Sequence, residues 1–228
     1  MRKQLDISAY LVVGPENTLE RPVASIVAAA ISVGFTTVQI RSKVASAREL
    51  IDLVRQSARS IERLNPKVTL LVDDRLDVVL AARSMGVKVD GIHVGQSDIP
   101  VDICRKYLGD DSIIGLSART VDLIEYVKTA NVSAIDYFGA GPLHETATKP
   151  DCGLNENGVV IPQTLDELSE LVKISAIPVV VGGGVKLVDI PALAATGVAG
   201  FFVVSAVAAA EDPYSAALEL VKAWQICK

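Results

Sequence analysis

Short apolar segments rich in β-branched residues alternate with amphipathic segments along the whole chain, and this alternation limits the possible folds more than any other feature. Eight such segments occur: Ala9 to Val13, Thr37 to Ile40, Val68 to Val72, Gly91 to Val94, Ser112 to Gly115, Ala134 to Phe138, Pro178 to Val181 and Gly200 to Val204. Between them, apolar residues recur every three to four positions, which is the spacing of a helix with one buried face. Eight βα units of about 28 residues predict parallel strands with right-handed crossovers, closed into a (βα)8 TIM barrel.

The helical segments and their ends agree with this fold class. Their spacing predicts helices at Ala47 to Leu64, Arg75 to Met85, Val121 to Lys128, Leu165 to Ile174 and Tyr214 to Trp224. Glycines stand where helices should end, at Gly34, Gly86, Gly109 and Gly197. We find no domain linker, so residues 1–228 are predicted to form a single (βα)8-barrel catalytic domain. The longest stretch without a clear element, Gly139 to Gln163, follows strand six and is a candidate lid.

Composition and charge exclude several classes of function. The 228 residues are 50% hydrophobic but only 4% aromatic, which suits buried parallel strands made of Val, Ile, Leu and Ala. The formal net charge is −5 and the charges are interspersed, so no basic stripe is available for nucleic acid. No apolar run reaches the ~18 residues of a membrane helix, and we expect a cytoplasmic protein that binds neither membranes nor nucleic acid. The sequence does not fix the number of subunits, and a homo-oligomer is compatible with it.

Two cations and an amide follow the second predicted strand, at the end where barrels place their catalytic groups. The strand ends in Gln39-Ile40-Arg41-Ser42-Lys43, and the alternation of side chains puts Gln39, Arg41 and Lys43 on one side. Arg41 offers a bidentate fork and Lys43 a mobile point charge, and together they suit a diphosphate. Surface charges kept for solubility would give the same pattern. Because the strand is internal, we favour a phosphate site.

Carboxylates follow the next two strands. Asp73 and Asp74 end the third strand, and Asp98 lies just beyond the fourth. Mg²⁺ takes one or two protein carboxylates and completes its shell with water and phosphate oxygens, so Asp74 and Asp98 are candidate ligands. Each also precedes a predicted helix and could act only as a helix cap. The cations one strand away suit a metal-bound diphosphate and favour the magnesium site.

The remaining strand ends carry hydroxyls, a third cation and glycines. Ser117 follows strand five, and Thr146-Ala147-Thr148-Lys149 follows strand six. Gly182-Gly183-Gly184 follows strand seven, while Val203-Val204-Ser205-Ala206 ends strand eight and leads into a helix. Glycine backbone N–H groups and a helix N-terminus favour phosphate at this position of a barrel. Of the two histidines, His93 is interpreted as a structural strand residue and His144 as part of the lid.

Six groups of motifs occur in order at successive strand ends, and through them the chain resembles the thiamin phosphate synthase family from Tyr10 to Pro213. They are Q-x-R-x-K at Gln39 to Lys43, D-D-R-x-D at Asp73 to Asp77, G-I-H-V-G-Q-x-D at Gly91 to Asp98, I-G-L-S at Ile114 to Ser117, F-G-A-G-P with T-x-T-K from Phe138 to Lys149, and G-G-G-V with V-V-S-A from Gly182 to Ala206. The resemblance implies a (βα)8-barrel transferase of thiamin biosynthesis that uses Mg²⁺.

The resemblance also implies roles for individual residues. The pyrimidine diphosphate substrate would be held by Gln39, Arg41, Lys43, Asp73, Ser117 and Lys149. The thiazole phosphate would contact Thr146, Thr148, Gly184, Val204 and Ser205, and Mg²⁺ would bind Asp74 and Asp98. The catalytic cations would be Arg41, Lys43 and Lys149, because they neutralise the leaving group. This chain departs from the family at Asp73, where Asn is usual, and at Ser42, where Glu is usual.

The chemistry implied by the resemblance is a dissociative substitution. Diphosphate leaves the pyrimidine substrate, and the thiazole nitrogen captures the resulting cation to give thiamin phosphate. Two alternatives stay open at this point. A related thiazole tautomerase would use acid–base chemistry, for which His144 is the candidate, and a non-catalytic barrel would bind a metabolite without turnover.

Overall fold

A closed barrel of parallel strands forms the centre of the molecule. The computed structural model describes residues 5–118, 121–145 and 159–228. Within these ranges the strands are β1 (Ala9–Val13), β2 (Thr37–Ile40), β3 (Thr69–Asp73), β4 (Gly91–Val94), β5 (Ile113–Ser117), β6 (Tyr137–Ala140), β7 (Val179–Val181) and β8 (Gly200–Val203). They pair in chain order, and β1 pairs with β8 to close the ring. The predicted (βα)8 TIM barrel is confirmed.

Helices connect the strands and cover the outside of the barrel. They are α1 (Val23–Ser32), α2 (Ala47–Leu64), α3 (Leu76–Ser84), α4 (Val101–Leu108), α5 (Leu123–Thr129), α6 (Leu165–Ile174), α7 (Ile190–Ala195), α8 (Ser205–Ala208) and α9 (Pro213–Cys227). Short 3-10 turns lie at Pro15–Asn17 and Leu187–Asp189. None of the helices in the described ranges combines the length and apolar character that a membrane crossing requires.

Local capping signals explain why two helices have the predicted bounds. Ser46 and Thr164 begin α2 and α6, and each forms a capping box with a glutamate three residues later, Glu49 or Glu167. The glycines predicted to follow helices all adopt positive φ: Gly34, Gly86, Gly109 and Gly197. Since these conformations suit residues without a Cβ atom, the sequence marks the helix ends directly.

Two of the described strands, β5 and β6, differ from their predicted bounds by two residues or more, whereas β3, β7 and β8 differ by one. β6 begins at Tyr137 rather than at Ala134, and β5 ends at Ser117 rather than at Gly115. The buried Ile135 belongs instead to a turn in which its N–H bonds to the Val132 carbonyl at 3.2 Å. An apolar side chain packs under a turn as well as in a sheet, so composition alone does not separate the two.

Side chains that alternate along the strands enter two different apolar layers. Tyr10, Tyr137 and Val180 meet inside the barrel. Their chain neighbours Leu11 and Phe138 face outwards and join the larger core between the strands and the helices. The inner layer closes the barrel below its mouth, so the strand ends above it surround a defined floor.

Two aspartates tie strands together at the amino ends of β4 and β6. Asp90 Oδ2 accepts the Leu70 backbone N–H at 2.8 Å and pairs with Lys88. Asp136 Oδ2 accepts the Ile114 N–H at 2.8 Å and Nη2 of Arg105 in α4 at 2.7 Å. These carboxylates satisfy strand N–H groups away from the mouth, a position that contributes stability rather than catalysis in this fold.

Candidate active site

A cavity of about 970 Å³, part of it open to solvent, lies at the carboxyl ends of the strands. Every strand contributes at least one residue to its lining, in the order Tyr10, Gln39, Asp73, His93, Ser117, Gly139, Val180 and Phe202. The side formed by β2 to β5 is polar, whereas Val180 and Phe202 make the β7–β8 side apolar. This is the end of the barrel that holds the active site in enzymes of this fold.

Arg41 and Lys43 lie at the polar side of the mouth beside two aspartates. Arg41 Nε lies 3.2 Å from Oδ2 of Asp73. Lys43 Nζ pairs with Asp74 and lies 3.9 Å from Asp73, and the Lys43 side chain is 52% exposed. Burial acts to lower the pKa of Lys43, but the hydrogen bond and charge of Asp74 outweigh it and raise the pKa. Two positive charges therefore stand together at the mouth.

Glu16, in the connection after β1, fixes the loop that carries these cations. Its Oε1 accepts the Lys43 backbone N–H at 3.2 Å and the Ser42 hydroxyl. The Ser42 oxygen accepts in turn from the Ala45 N–H at 2.9 Å. A carboxylate from a neighbouring strand connection thus holds the backbone on both sides of the Lys43 side chain.

Three carboxyl groups come together beside these cations. Burial, followed by the charge of Asp74, raises the pKa of Asp73 to about 7, and the charge of Arg41 opposes this shift. Burial also raises the pKa of Asp98, and a hydrogen bond with Asp74 adds to it. Burial acts to raise the pKa of Asp74 as well, but hydrogen bonds with Lys43 and Asp98 outweigh it and lower the pKa. Asp74 and Asp98 therefore share one site.

Neither Asp74 nor Asp98 caps a helix. The residue before α3 is Arg75 and the residue before α4 is Pro100, and neither helix receives a side-chain cap. Asp98 Oδ2 instead accepts the Gly95 N–H at 2.8 Å. The helix-cap alternative is wrong for both residues. Within the described ranges no three His, Cys, Asp or Glu side chains are arranged to hold a metal ion, so a metal at this site has a pair of carboxylates available.

His93 connects two strands across the floor of the cavity. Its Nδ1 lies 2.9 Å from the Tyr137 hydroxyl and its Nε2 lies 3.0 Å from Oγ of Ser117. Gly115 makes room for this contact, because a Cβ atom there would lie 2.3 Å from the Tyr137 hydroxyl oxygen and 2.5 Å from His93 Nδ1. His93 lies in strand β4, as predicted, and its side chain also lines the cavity and contacts Ser117.

Tyr10 continues the connection to the other side of the floor. Its hydroxyl lies 2.9 Å from that of Tyr137 and donates to Oε1 of Gln39 at 2.8 Å. Gln39 Nε2 donates to Oδ1 of Asp73. Burial raises the pKa of both tyrosines well above the ordinary value, so both remain neutral phenols. A continuous polar connection therefore crosses an otherwise apolar barrel interior.

The glycines after β7 form the opposite side of the mouth. Gly183 and Gly184 have φ values of +81° and +72°, which favour residues without a Cβ atom. The His144 N–H bonds to the Gly183 carbonyl at 3.0 Å, and a Cβ atom on Gly184 would lie 2.9 Å from the Cβ of His144. Val204 and Ser205, where α8 begins, also line the cavity. This side presents backbone and one hydroxyl rather than charge.

The family model of thiamine monophosphate synthase matches residues 9–207, which cover all eight strands. The chain belongs to the thiamine monophosphate synthase family. A thiamine-phosphate synthase of Corynebacterium efficiens is 39% identical over 221 residues, which are 97% of this chain and 96% of that relative. The thiamine-phosphate synthase of Ruminiclostridium cellulolyticum is 34% identical and covers 97% of each chain. As a member of this family, the chain is an enzyme, a transferase of thiamine biosynthesis.

Solved structures agree with this assignment. The thiamine phosphate pyrophosphorylase from Pyrococcus furiosus superimposes with a TM-score of 0.78 at 28% identity, covering 97% of this chain and 96% of that one. A 3-hexulose-6-phosphate synthase superimposes with a TM-score of 0.65 at 15% identity, covering 95% of this chain and 99% of that one. The second likeness shows only that the two proteins share the barrel fold.

The structure brings together most of the residues that the sequence identified as a thiamine monophosphate synthase site. Those that line the cavity are Gln39, Arg41, Asp73, Ser117, Gly184, Val204 and Ser205. Lys43, Asp74 and Asp98 lie beside them through the contacts of Asp73 and Asp74. The predicted site residues Thr146, Thr148 and Lys149, and much of the candidate lid, lie outside the described residues.

Sequence reasoning missed Glu16, Tyr10 and Tyr137, and it did not reveal that His93 contacts two other polar side chains on the cavity floor. The tyrosines carried a usable signal, because each occupies a strand position whose neighbours in the chain face the helices. A polar-tipped aromatic side chain inside a barrel needs a hydrogen-bond partner, which points to other polar groups on the same floor. Glu16 carried no such signal, because its partners lie in a different strand connection.

Proposed function

We propose that the chain joins 4-amino-5-hydroxymethyl-2-methylpyrimidine diphosphate to 4-methyl-5-(2-hydroxyethyl)thiazole phosphate. The bond between the pyrimidine methylene carbon and the diphosphate oxygen breaks, and its electron pair leaves with diphosphate. The thiazole nitrogen then donates its lone pair to the methylene carbon, which forms the C–N bond of thiamin phosphate. Membership of the thiamine monophosphate synthase family supports this reaction. We assign it to a single catalytic domain, residues 1–228.

The observation that carries the proposal is the convergence of Arg41 and Lys43 at the polar side of the mouth. In the proposed reaction both bind the diphosphate and neutralise the charge that grows as the C–O bond breaks. Lys43 is the mobile member, since its side chain is half-exposed and its partner Asp74 lies at the same mouth. Because bond breaking precedes bond formation, the enzyme needs no nucleophile or general base. Preorganised charge of this kind typically contributes roughly 10²- to 10³-fold per donor.

Asp74 and Asp98 are the proposed ligands of Mg²⁺. Their carboxyl groups interact directly, and each is partly withdrawn from solvent. This donor set fits Mg²⁺, which prefers oxygen ligands and commonly uses one or two carboxylates together with water and phosphate oxygens. When bound, Mg²⁺ supplies positive charge that stabilises the leaving diphosphate. Lys43, which pairs with Asp74, offsets part of the negative charge of the two acidic groups in the free enzyme.

The thiazole phosphate is assigned to the glycine side of the mouth. Its proposed contacts among the described residues are Gly184, Val204 and Ser205. Thr146 and Thr148 are assigned to the same phosphate, and Lys149 to the diphosphate, on the T-x-T-K motif. The two substrates then lie across the floor from each other. The apolar surface of Val180 and Phe202 gives the rings a place between the two phosphate sites.

The tautomerase alternative receives no support from His144. Its Nε2 lies 3.0 Å from Oδ1 of Asp189, and the side chain is 45% exposed. His144 is not one of the described residues that line the cavity. A tautomerase acting on the thiazole alone also has no task for Arg41 and Lys43. The synthase reaction uses both sides of the mouth.

The direct test mixes the purified protein with both substrates and Mg²⁺ and measures thiamin phosphate and diphosphate. We expect stoichiometric formation of the two products. Lys43→Ala should lower kcat/KM for the pyrimidine diphosphate by roughly 100-fold. Lys128→Ala is the matched control, because the Lys128 side chain in α5 is 67% exposed and lies 4.0 Å from its ion-pair partner Glu125. A protein that binds thiazole phosphate but forms no product would contradict the proposal.

A further inference from the structure

Six side chains from six different strands form one hydrogen-bonded chain across the floor of the cavity. In spatial order they are Ser117, His93, Tyr137, Tyr10, Gln39 and Asp73. Its two central tyrosines are at most 1% exposed, so they are shielded from bulk water. This hydrogen-bonded chain joins Ser117, on the β5 side of the mouth, to the Asp73 carboxylate, which pairs with Arg41.

The donors and acceptors in this hydrogen-bonded chain point in one direction, because the amide of Gln39 turns its N–H group towards Asp73. Its carboxylate receives an N–H from the Gln39 amide, so the amide oxygen of Gln39 faces Tyr10 and accepts its only hydroxyl proton. The Tyr10 oxygen must then accept from Tyr137, whose own proton is used in that bond. Tyr137 in turn accepts from Nδ1 of His93, which therefore carries hydrogen.

This order fixes the tautomer of His93 and the role of Ser117. A neutral imidazole with hydrogen on Nδ1 has a lone pair on Nε2, which lies 3.0 Å from Oγ of Ser117. We propose that His93, held in this tautomer by Tyr137 and Tyr10, takes the Ser117 hydroxyl proton in a hydrogen bond and makes Ser117 a hydrogen-bond acceptor towards the substrate. His93 and the two tyrosines are positioning residues. Ser117, which they position, contacts the substrate.

The assignment deepens the proposed function and rests on it for the identity of the substrate. An acceptor oxygen does not favour an anionic diphosphate, which needs donors. It suits an N–H group, such as the 4-amino group of the proposed pyrimidine, and it stabilises the positive charge that develops on the methylene carbon. Ser117 is thereby assigned to the pyrimidine end of the substrate, while Arg41 and Lys43 bind the diphosphate end.

Two glycines leave space for the side chains of His93 and Tyr137 in this hydrogen-bonded chain. A Cβ atom on Gly115 would collide with both Tyr137 and His93, and one on Gly139 would lie 3.1 Å from Cε1 of His93. The imidazole and the Tyr137 ring are packed with their centroids 5.5 Å apart. The ring is therefore held by packing as well as by hydrogen bonds, which limits the orientations in which it can meet Ser117.

The first test reads the His93 tautomer in the free enzyme by ¹⁵N NMR at mildly alkaline pH, where an ordinary imidazole is neutral. The protein has only two histidines, so the imidazole signals that remain in His144→Gln belong to His93. We expect hydrogen on Nδ1 and a lone pair on Nε2. Hydrogen on Nε2 would overturn the proposal. The measurement uses no substrate, so its failure is distinct from failure of the proposed reaction.

The second test asks whether the tyrosine acts through Ser117. Tyr137→Phe should lower kcat about tenfold, as expected for one hydrogen bond lost in the transition state, with a smaller effect on KM for the pyrimidine substrate. The same change in a Ser117→Ala background should have no further effect on kcat. Tyr107→Phe, on the 60% exposed Tyr107, is the control and should leave kcat unchanged. Additive effects of Tyr137→Phe and Ser117→Ala would refute the positioning role.

Two further variants keep the test decisive. Tyr10→Phe removes the next member of the chain and replaces Tyr137→Phe should that protein fail to fold. Asp73→Asn gives the far end a group that can donate as well as accept, so we expect His93 with hydrogen on Nε2 to become populated. A tautomer that stays unchanged in Asp73→Asn would overturn the conclusion that Asp73 sets the direction of the chain.

Discussion

Removing the carboxylate of Asp136 should destabilise the barrel by several kcal/mol. Asp136 accepts Nη2 of Arg105 at 2.7 Å and the Ile114 backbone N–H at 2.8 Å, and the two charged side chains are only 10% and 12% exposed. Asp136→Ala therefore leaves a buried guanidinium without its counter-charge and a strand N–H without this acceptor. Breaking a buried pair from one side typically costs about 3–5 kcal/mol.

Other contacts of Arg105 place the expected cost at the lower end of that range. Its Nη1 donates to the carbonyls of Gly109 and Ser112 at 3.0 and 2.6 Å, and its Nε donates to that of Ala134 at 3.2 Å. These bonds survive the substitution and stabilise the remaining charge. We expect a loss of about 3 kcal/mol. For a domain of this size, that loss corresponds to a fall in Tm of roughly 6–12 °C.

Urea unfolding measures the change as a shift of the midpoint at constant slope. Asp136→Asn keeps an acceptor for the Ile114 N–H but lacks the charge, so its effect should lie between those of wild type and Asp136→Ala. Asp52→Ala is the matched control, because the Asp52–Arg55 pair has the same 2.7 Å distance but side chains 49% and 40% exposed. An exposed pair contributes about 0–1 kcal/mol. The reasoning fails if Asp136→Ala costs no more than Asp52→Ala.

Three further predictions concern the site. Asp98→Asn should raise the Mg²⁺ concentration for half-maximal rate about tenfold in a metal titration, because one charged ligand is lost, and chelator should abolish turnover of the wild type. Gly184→Ala should raise KM for thiazole phosphate about tenfold, since φ of +72° and the nearby His144 force the backbone to shift, and an unchanged KM would contradict the phosphate assignment. Lys149→Ala should remove turnover while circular dichroism remains that of the wild type; undiminished activity would remove Lys149 from the site.

The barrel and one side of its site could be predicted because the relevant signals are local. The alternation of strand and helix patterns extends over short segments, and Ser46, Thr164 and the helix-ending glycines mark boundaries within a few residues. Arg41 and Lys43 could be placed at the mouth because strand ends are neighbours in any parallel barrel. The strand β6 was displaced in the prediction because the apolar Ile135 packs in a turn.

Other features could not be predicted because they depend on which side chains meet across the barrel. Glu16 holds the Lys43 loop from the neighbouring strand connection, 27 positions earlier in the chain. His93 contacts Ser117 and Tyr137 at 24 and 44 positions away. Each of these residues alone has an ordinary structural explanation. Only their distances show that they belong to one network.

The sequence by itself determined the (βα)8 barrel, the strand ends that form its mouth and the residue types that stand there. Periodicity fixes these features, because it dictates which side chains must be buried and which strand ends lie side by side. The tertiary structure alone decided how those residues are connected. Tyr10 and Tyr137 are 127 positions apart in the chain, yet their hydroxyl groups lie 2.9 Å apart. The direction of hydrogen bonding through them, and with it the role of Ser117, exists only once the barrel closes.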